Sequence, residues 1–384
     1  ASPDPAASVP APSHPASPIA MDALSTVLAR IDDLDDPALQ ARLARRIDGK
    51  TKPLGALGAI EALAIRIGMI VGGTAPRLHA PQVVVFAADH GLARHRTSAY
   101  PSDVTVQMVR NFLDGGAAVS VLARQHGLAL SVVDCGVRTA IAPRAGLIDR
   151  RIAAGTADAL QGPAMSAEQC LRAIDNGIAL AGALPGNVLL LGEMGIGNTS
   201  AAALLLARLT GWPIDDCVGR GTGLDDAGLA HKREILRQVM ARDAAMTHDG
   251  ADAAQGLPND SSVRVLAALA SLGGFEIATM VGTVLRAAAD RRVIVVDGLI
   301  TSVAVLVAEQ LAPMVLQRCV FAHRSAEAAH GRLLAHWGVE PLLQLGLRLG
   351  EGSGAALAWP LIVSACRLLD EMASFDDAGV AGPA

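Results

Sequence analysis

The chain has 384 residues, of which 51% are hydrophobic and 2% aromatic, with a mean hydropathy of +0.38 and a formal net charge of -5 at pH 7. Its length suits a large core in one or two domains, and no apolar run is long enough to cross a bilayer. Because the sequence offers neither a basic surface nor aromatic stacking platforms, nucleic acid is excluded as the expected partner and small molecules are favoured.

The five cysteines indicate a reducing compartment. They are widely separated, odd in number and without a C-x-x-C pair, so we expect free thiols and a cytoplasmic location. The side chains nearest to a metal-binding pattern are Asp89, His90, His95 and Cys135. They lack the ligand spacings of known zinc sites, and we expect neither a metal nor another cofactor.

The N-terminal segment, residues 1–20, consists mostly of Pro, Ala and Ser without periodicity. Such a segment cannot bury enough apolar surface to order itself, so we predict a disordered tail. It contains no arginine and no basic stretch followed by an apolar one, and therefore predicts neither a secretory signal nor a transit peptide.

The next part of the chain, residues 21–80, has a helical pattern that the turn KTKPLGALG interrupts. Short, continuously apolar runs that end in glycine or polar residues follow, and they predict strands. These runs lie at 83–91, 129–137, 187–200, 292–302 and 315–325. Segments of helical length separate them, such as 201–209 and 303–311. Strands that alternate with helices predict an α/β fold, with a parallel sheet covered on both faces and ligands at the carboxyl ends of its strands.

Beyond residue 330 the pattern is helical again. The apolar residues expected to carry it are Leu342, Leu343, Leu345, Leu361, Ile362, Cys366 and Leu369. Since neither chain end is large enough to form a good domain alone, we predict that residues 21–80 and 331–384 pack together as a small helical domain beside residues 81–330. That arrangement would place Glu351 over the edge of the sheet.

Two glycine-rich loops are candidate phosphate sites. In GEMGIGNTS, residues 192–200, a strand leads into a loop, and Thr199 or Ser200 is expected to cap the next helix, whose N-terminus suits a phosphate. The loop matches neither the Walker pattern nor G-x-G-x-x-G, so a simple tight turn is the alternative. The second, VGRGTGLDDAGLAHK at residues 218–232, carries Arg220, Thr222 and Lys232, and its alternative is a solvated turn.

Other polar residues at strand ends are candidates for binding. Asp297 could hold a ribose hydroxyl or cap a helix. A long polar loop after the first strand carries His90 and Tyr100, and the next helix is expected to begin near Val104 with Ser102 or Asp103 as cap. A lone histidine such as His90 is more often a satisfied hydrogen-bonding residue than a catalyst.

Eight strings occur together and in order: AADHG, SAYPSDVTVQMVRNFLDGGAA, DCGV, GEMGIGNTS, GRGTG, GGFEIATMVG, VDGLITSVA and GLRLGEGSGAALA. In these strings the sequence closely resembles the nicotinate-nucleotide:dimethylbenzimidazole phosphoribosyltransferases, which make α-ribazole phosphate for cobalamin. The resemblance extends from about residue 52 to 370. It implies a homodimer with a Rossmann-like α/β domain and a smaller helical domain built from both chain ends.

The resemblance also implies roles for individual residues. Glu351 corresponds to the proposed general base of the family, and Glu193 is expected to face the positive charge that develops on the phosphoribosyl group or to hold a ribose hydroxyl. The expected base-binding residues are Ser98, Tyr100, Gln107, His90 and Leu349. The expected phosphoribosyl-binding residues are Gly195, Ile196, Gly197, Asn198, Thr199, Arg220, Gly221, Lys232, Asp297 and Gly298.

The implied substrates are nicotinate mononucleotide and 5,6-dimethylbenzimidazole. The donor already carries a cationic leaving group, so the chemistry still needed is removal of a proton from the attacking benzimidazole, for which a single carboxylate is sufficient. Two alternatives stay open. One is another enzyme that uses the same donor, a nucleotide glycohydrolase or a transferase to a different azole or phenol; the other is a non-catalytic nucleotide-binding protein.

Overall fold

Six strands form one sheet in the part of the chain that the computed structural model describes, residues 18–249 and 260–381. They are β1 (Gln82–Ala88), β2 (Ala129–Gly136), β3 (Leu147–Asp149), β4 (Val188–Met194), β5 (Val293–Val296) and β6 (Cys319–Phe321). Their order is β3-β2-β1-β4-β5-β6, and all five neighbouring pairs are parallel. This is the strand order of the Rossmann fold, and the predicted α/β fold with a parallel sheet is confirmed.

Helices cover both faces of the sheet. They are α1 (Pro18–Leu28), α2 (Pro37–Asp48), α3 (Ala59–Val71), α4 (Asp103–Asp114), α5 (Ala118–His126), α6 (Ala167–Ala183), α7 (Asn198–Thr210), α8 (Ile214–Cys217), α9 (Asp226–Asp249), α10 (Asp260–Leu272), α11 (Phe275–Ala289), α12 (Leu299–Leu311), α13 (Ala328–His336), α14 (Ser353–Glu371) and α15 (Phe375–Ala378). Two 3-10 helices, Gly91–His95 and Pro313–Arg318, precede α4 and β6. None of the helices described is long and apolar enough to span a membrane.

Strand β1 shows why the sheet is buried on both faces. All seven of its residues are buried, and successive side chains point to opposite faces of a strand. Val84 and Phe86 join the core formed with α6, α7, α11 and α12, whereas Val83 and Val85 join the core formed with α3, α4, α5 and α14. A continuously apolar strand is what such a two-sided core requires.

The chain ends meet on one face of the sheet. Helix α14 packs against α3 and α5, and α2 packs against α3. These helices share their core with β1, β4 and β5, while α1 lies on the other face, against α6 and α11. The boundaries of a separate helical domain, 21–80 with 331–384, stay a prediction. Residues 1–17 of the predicted tail lie outside the described residues, and residues 18–20 belong to α1.

The five predicted strands are all present, each shorter than its predicted segment, and the two predicted helices lie within α7 and α12. β3 was missed because it has only three residues, none of them buried. The predicted helix at Leu342 to Leu345 is wrong. These leucines lie between α13 and α14, where Leu342 N donates to Phe321 O and Leu343 N to Ala322 O, so backbone pairing beside β6 replaces helical bonding.

Helices α6 and α11 cross at unusually short range because glycines lie at the crossing. A Cβ atom on Gly282 would overlap the carbonyl of Ile174, and one on Gly177 would overlap the carbonyl of Thr279. The hydroxyl of Thr283 donates to Gly177 O at 3.3 Å. Backbone lies against backbone here, so there is no flexible side-chain end to move aside.

We therefore expect Gly282→Ala to lower the free energy of unfolding by about 1–3 kcal/mol, because overpacking at the crossing exceeds the gain of about 1 kcal/mol from replacing a helical glycine. Gly182→Ala in α6 is the matched control, since the atoms nearest to its Cβ would be those at the end of the Arg286 side chain, at 3.0 Å or more, and not backbone. Urea unfolding of both variants makes the measurement. Equal stability of the two variants would show that the crossing can relax.

Candidate active site

The candidate site lies at the carboxyl edge of the sheet, around the ends of β1, β4 and β5. In the strand order observed, connections leave β1 in one direction and β4 in the other, and the crevice between these two strands is where such folds bind nucleotides. The glycine-rich loop follows β4 directly, and Asp297 follows β5. The sheet thus brings together residues that are far apart in the chain, since β1 ends at Ala88 and β5 at Val296.

The loop after β4 leads straight into α7. Its N-cap is Gly197, with φ 100°, and the helix begins at Asn198. The prediction that Thr199 or Ser200 would cap this helix is therefore wrong: both residues already lie inside the first turn. Ile196 N donates to the buried hydroxyl of Thr105 at 3.1 Å, which ties the loop to α4.

Asn198 turns its side chain back towards the strand and donates to the Glu193 carboxylate through Nδ2. Glu193 is 7% exposed and lies against the backbone of the segment before α14, because a Cβ on Gly350 would overlap its Oε1 atom. The structure therefore brings the glycine loop and the segment around Glu351 into direct contact.

Glu351 has an unusual backbone conformation. Its φ is 66°, between Gly350 at 78° and Gly352 at 82°, so three successive residues lie in the left-handed region that side chains other than glycine rarely adopt. The turn packs on β4 at Gly192, where a Cβ would lie 2.5 Å from Glu351 O. Glu351 is only 5% exposed, so its carboxyl group is held inside the site.

Asp297 holds the start of α14. Its Oδ2 accepts from Gly352 N at 3.2 Å and its Oδ1 accepts from Ala355 N at 2.9 Å. His323 Nε2 lies 3.5 Å from Oδ1. These contacts correspond to the helix-cap alternative of the sequence analysis, but the capped helix is α14 and not α12, which begins next to Asp297 with Gly298 as its N-cap.

The two glutamates of the site hold their protons more tightly than an exposed glutamate does. Burial raises the pKa of Glu351 to about 7, with a further contribution from the charge of Asp297. Burial also raises the pKa of Glu193 to about 8, and the charges of Asp297, Glu276 and Glu351 add to it, against the hydrogen bond from Asn198. A site of this kind favours a ligand that brings positive charge.

His90 and Glu276 form a buried pair next to the loop. Their atoms Nε2 and Oε1 are 2.6 Å apart, and the side chains are 2% and 0% exposed. Burial alone would lower the pKa of His90, but the charge and hydrogen bond of Glu276, with the charge of Asp89, raise it above its ordinary value. Sequence reasoning missed Glu276, although it follows two glycines at the first turn of a helix in one of the strings quoted above.

The second predicted phosphate loop meets the first at Lys232. The Lys232 Nζ atom donates to Thr199 Oγ1 at 3.0 Å and to Gly219 O at 3.3 Å. Gly221, with φ 55°, lies close to both side chains. Lys232 is 1% exposed; burial lowers its pKa to about 8, partly offset by the charge of Glu327. A buried cation beside the N-terminus of α7 suits a phosphate.

The remaining predicted residues lie further towards solvent. Arg220 is half-exposed and pairs with Asp226, the first residue of α9. Ser98 accepts from Tyr100 N at 3.3 Å, and Tyr100 is exposed. Gln107 and Leu349 are exposed as well. No group of three or more His, Cys, Asp or Glu side chains that could hold a metal is found in the described ranges.

Fold and site together define a class: an α/β enzyme that binds a nucleotide or sugar phosphate at the switch point of a parallel sheet, with buried carboxyl groups beside it. A family model described as Phosphoribosyltransferase (DBI_PRT) matches residues 32–380. The chain belongs to this phosphoribosyltransferase family.

Similar proteins agree with this assignment. The chain is 65% identical, over 350 residues, to the nicotinate-nucleotide--dimethylbenzimidazole phosphoribosyltransferase of Variovorax paradoxus (strain S110), covering 91% of this chain and 96% of that protein. It is 53% identical to the protein of the same name from Dechloromonas aromatica (strain RCB), over 90% and 97% of the two chains. Among solved structures, CobT from Thermus thermophilus superposes with a TM-score of 0.82 at 39% identity, covering 90% of this chain and all of that one.

The raised pKa of Glu193 predicts a pH-dependent stability. An acid whose pKa is higher in the folded state than in the unfolded chain binds its proton more tightly when folded, so the free energy of unfolding falls as the pH rises from about 4.5 to about 8. Glu193→Gln removes the ionisable carboxyl group, and with it this loss of stability at high pH, but keeps an acceptor for Asn198. We expect it to raise the free energy of unfolding by on the order of 2 kcal/mol at pH 8.5, and by little at pH 5.

Urea unfolding at the two pH values measures this difference. Glu371→Gln is the control, because Glu371 is exposed at the end of α14; it should change stability by less than about 0.5 kcal/mol at either pH. A Glu193→Gln effect that is the same at pH 5 and pH 8.5 would contradict the expectation.

Proposed function

We propose that the protein transfers the 5-phosphoribosyl group of nicotinate mononucleotide to 5,6-dimethylbenzimidazole, forming α-ribazole 5'-phosphate and releasing nicotinate. The names of the relatives support both substrates. The observation in this chain that carries the proposal is Glu351: its carboxyl group is buried, held in a left-handed turn at the sheet edge, and has a pKa of about 7.

The donor needs little help to lose its base. The ring nitrogen of nicotinate mononucleotide is positively charged and takes the electron pair of the glycosidic bond when that bond breaks, so no general acid is required. Positive charge then develops on the ribose. Glu193 is the group we assign to that charge. The cationic donor favours the ionised form of this carboxyl group against its raised pKa of about 8, and a negative group placed where positive charge develops stabilises the transition state.

Glu351 acts on the acceptor. One ring nitrogen of 5,6-dimethylbenzimidazole forms the new bond to the anomeric carbon, and the proton on the other nitrogen passes to the Glu351 carboxylate and later to water. A base with a pKa of about 7 combines sufficient basicity with a large ionised fraction slightly above neutral pH.

The two ends of the donor have different surroundings. We place its phosphate at the loop 195–199 with Gly221 and Lys232, where the helix N-terminus and a buried ammonium favour an anion. Arg220, in the same glycine-rich turn, and Gly298, beside Asp297, complete the proposed phosphoribosyl-binding set. Ser98, Tyr100, Gln107 and Leu349 are proposed to line the base pocket, and His90 supports it through its buried pair with Glu276.

We also propose that the protein is a cytoplasmic homodimer, with the two chain ends as a small domain beside the sheet. Three large apolar side chains in segments next to the site are more than half exposed, namely Tyr100, Leu345 and Leu349, and they are suited to a subunit interface. All five cysteines are free and buried, which fits a reducing compartment.

Glu351→Gln tests the general base. The variant keeps the shape of the side chain but cannot take a proton, so kcat should fall by about 10²- to 10⁴-fold. The measurement is nicotinate release from nicotinate mononucleotide with 5,6-dimethylbenzimidazole present. Glu371→Gln, at the exposed end of the same helix, should leave the rate unchanged.

In the wild type, kcat/KM should fall about tenfold per pH unit below pH 7, because only the ionised Glu351 accepts the proton.

The same assay separates the alternatives. Nicotinate release that does not depend on the benzimidazole indicates a glycohydrolase, and tight nucleotide binding with no release indicates a non-catalytic protein. A Glu351→Gln variant with near-normal kcat would contradict the proposed role of Glu351. That result is expected of a purely structural acid at a helix start, whose loss changes stability by only about 1 kcal/mol and leaves turnover normal.

Sedimentation equilibrium tests the proposed dimer. We expect a mass of about twice the chain mass of 39.3 kDa at micromolar concentration, because obligate interfaces of homodimers are large and apolar. A mass of one chain over the whole concentration range would contradict the homodimer.

A further inference from the structure

Asp297 connects the end of β5 with the start of α14. It is 1% exposed, and its two carboxylate oxygens accept from Gly352 N and Ala355 N at 3.2 and 2.9 Å. The N-cap of α14 is Gly352, which has no side chain to offer. The cap of this helix is thus supplied by a residue 55 positions earlier in the chain.

The capped turn is the one that carries Glu351. A glutamate in the left-handed region costs about 1–3 kcal/mol and persists only where its surroundings hold it. The N–H group immediately after Glu351, on Gly352, is bound by Asp297, and the carbonyl group of Glu351 lies against Gly192. Asp297 and β4 therefore hold the peptide that follows Glu351 from two sides.

The space around Asp297 is fitted to this role. A Cβ atom on Gly354 would lie 2.8 Å from Asp297 Oδ1 and would overlap the ring of His323. His323 Nε2 lies 3.5 Å from the same oxygen. Both oxygens of Asp297 are therefore engaged within the protein.

We propose that Asp297 is a positioning residue for Glu351, which caps α14 from the neighbouring strand and so fixes the turn that aims the Glu351 carboxyl, and that it is not a ligand of the ribose hydroxyls. The inference rests on the proposed function, in which Glu351 is the general base. It replaces the ribose-binding role expected from the sequence.

Asp297 also acts on Glu351 through its charge. After burial, it is the group that raises the pKa of Glu351 towards 7. The other charged or titratable groups around this turn are Glu193, which faces it from β4, His323, which contacts Asp297, and Arg348 on its own segment. Removing the negative charge of Asp297 should make Glu351 a weaker base.

Asp297→Asn removes the charge and keeps the size and one acceptor oxygen. We expect the acidic limb of kcat/KM to move to lower pH by about one unit, because a like charge is removed from a buried site. The KM for nicotinate mononucleotide should change by less than about threefold, and kcat should fall. Asp36→Asn is the matched control: Asp36 caps α2 in the same way, through Oδ1 and Leu39 N, and α2 contributes nothing to the site.

A ribose-binding Asp297 gives the opposite pattern. In that case the KM for nicotinate mononucleotide rises about tenfold or more and the acidic limb stays in place. That result would overturn the positioning role. If Asp297→Asn does not fold, Asp297→Ser removes the same charge with a smaller polar side chain, and the same two outcomes apply.

Titration of the Glu351 carboxyl group can be followed without turnover. It therefore tests the role of Asp297 separately from the proposed transferase activity. The carboxyl carbon of Glu351 is followed by NMR in protein labelled with ¹³C-glutamate, and its signal is assigned by its loss in Glu351→Gln. We expect a titration midpoint at lower pH in Asp297→Asn than in the wild type. Equal midpoints overturn the inference even if the wild type is an active transferase, and absence of transfer by the wild type overturns the proposed function whatever the midpoints are.

Discussion

The burial of acidic side chains at one edge of the sheet, among them Glu193, Glu276, Asp297 and Glu351, is the constraint on which the site depends. An ionised carboxylate is costly to bury unless it is paired or hydrogen-bonded. Glu276 is paired with His90, and Asp297 is bound by the first N–H groups of α14. Glu193 and Glu351 have weaker compensation, and their pKa values rise accordingly to about 8 and about 7. The folded protein therefore keeps two carboxyl groups ready to exchange a proton near neutral pH.

Backbone contacts make this arrangement possible. The turn around Glu351 approaches β4 closely because residue 192 has no side chain, and Glu193 reaches the turn because residue 350 has none. Glycine is needed at both places for the close approach and not for flexibility. These contacts explain the string in which Glu351 stands between two glycines before a helix. The three residues form a left-handed turn, which contacts β4 on one side and is bound by Asp297 on the other.

Local sequence patterns predicted the local features of the fold and missed those that depend on distant contacts. Apolar runs of β1, β2 and β4 were strong enough to locate three central strands. β3 is too short and too exposed to leave a pattern. The leucines near 343 have helical spacing, yet backbone bonds to β6 decide their conformation. Nor can a local pattern show that Asp297 caps a helix 55 residues away, or that His90 meets Glu276.

The polarity of the site supports a single orientation of the donor in the proposed reaction. At one end, Lys232 lies beside Thr199 in the first turn of α7, where the helix N-terminus adds positive potential. At the other end lie the buried carboxyl groups of Glu193 and Glu351, whose pKa values are raised by burial and further by the charge of Asp297. Nicotinate mononucleotide has the complementary polarity, with an anionic phosphate and a cationic ring. We therefore infer that the donor binds with its phosphate at Lys232 and its anomeric carbon towards Glu351, because binding in the reverse direction would bring like charges together at both ends.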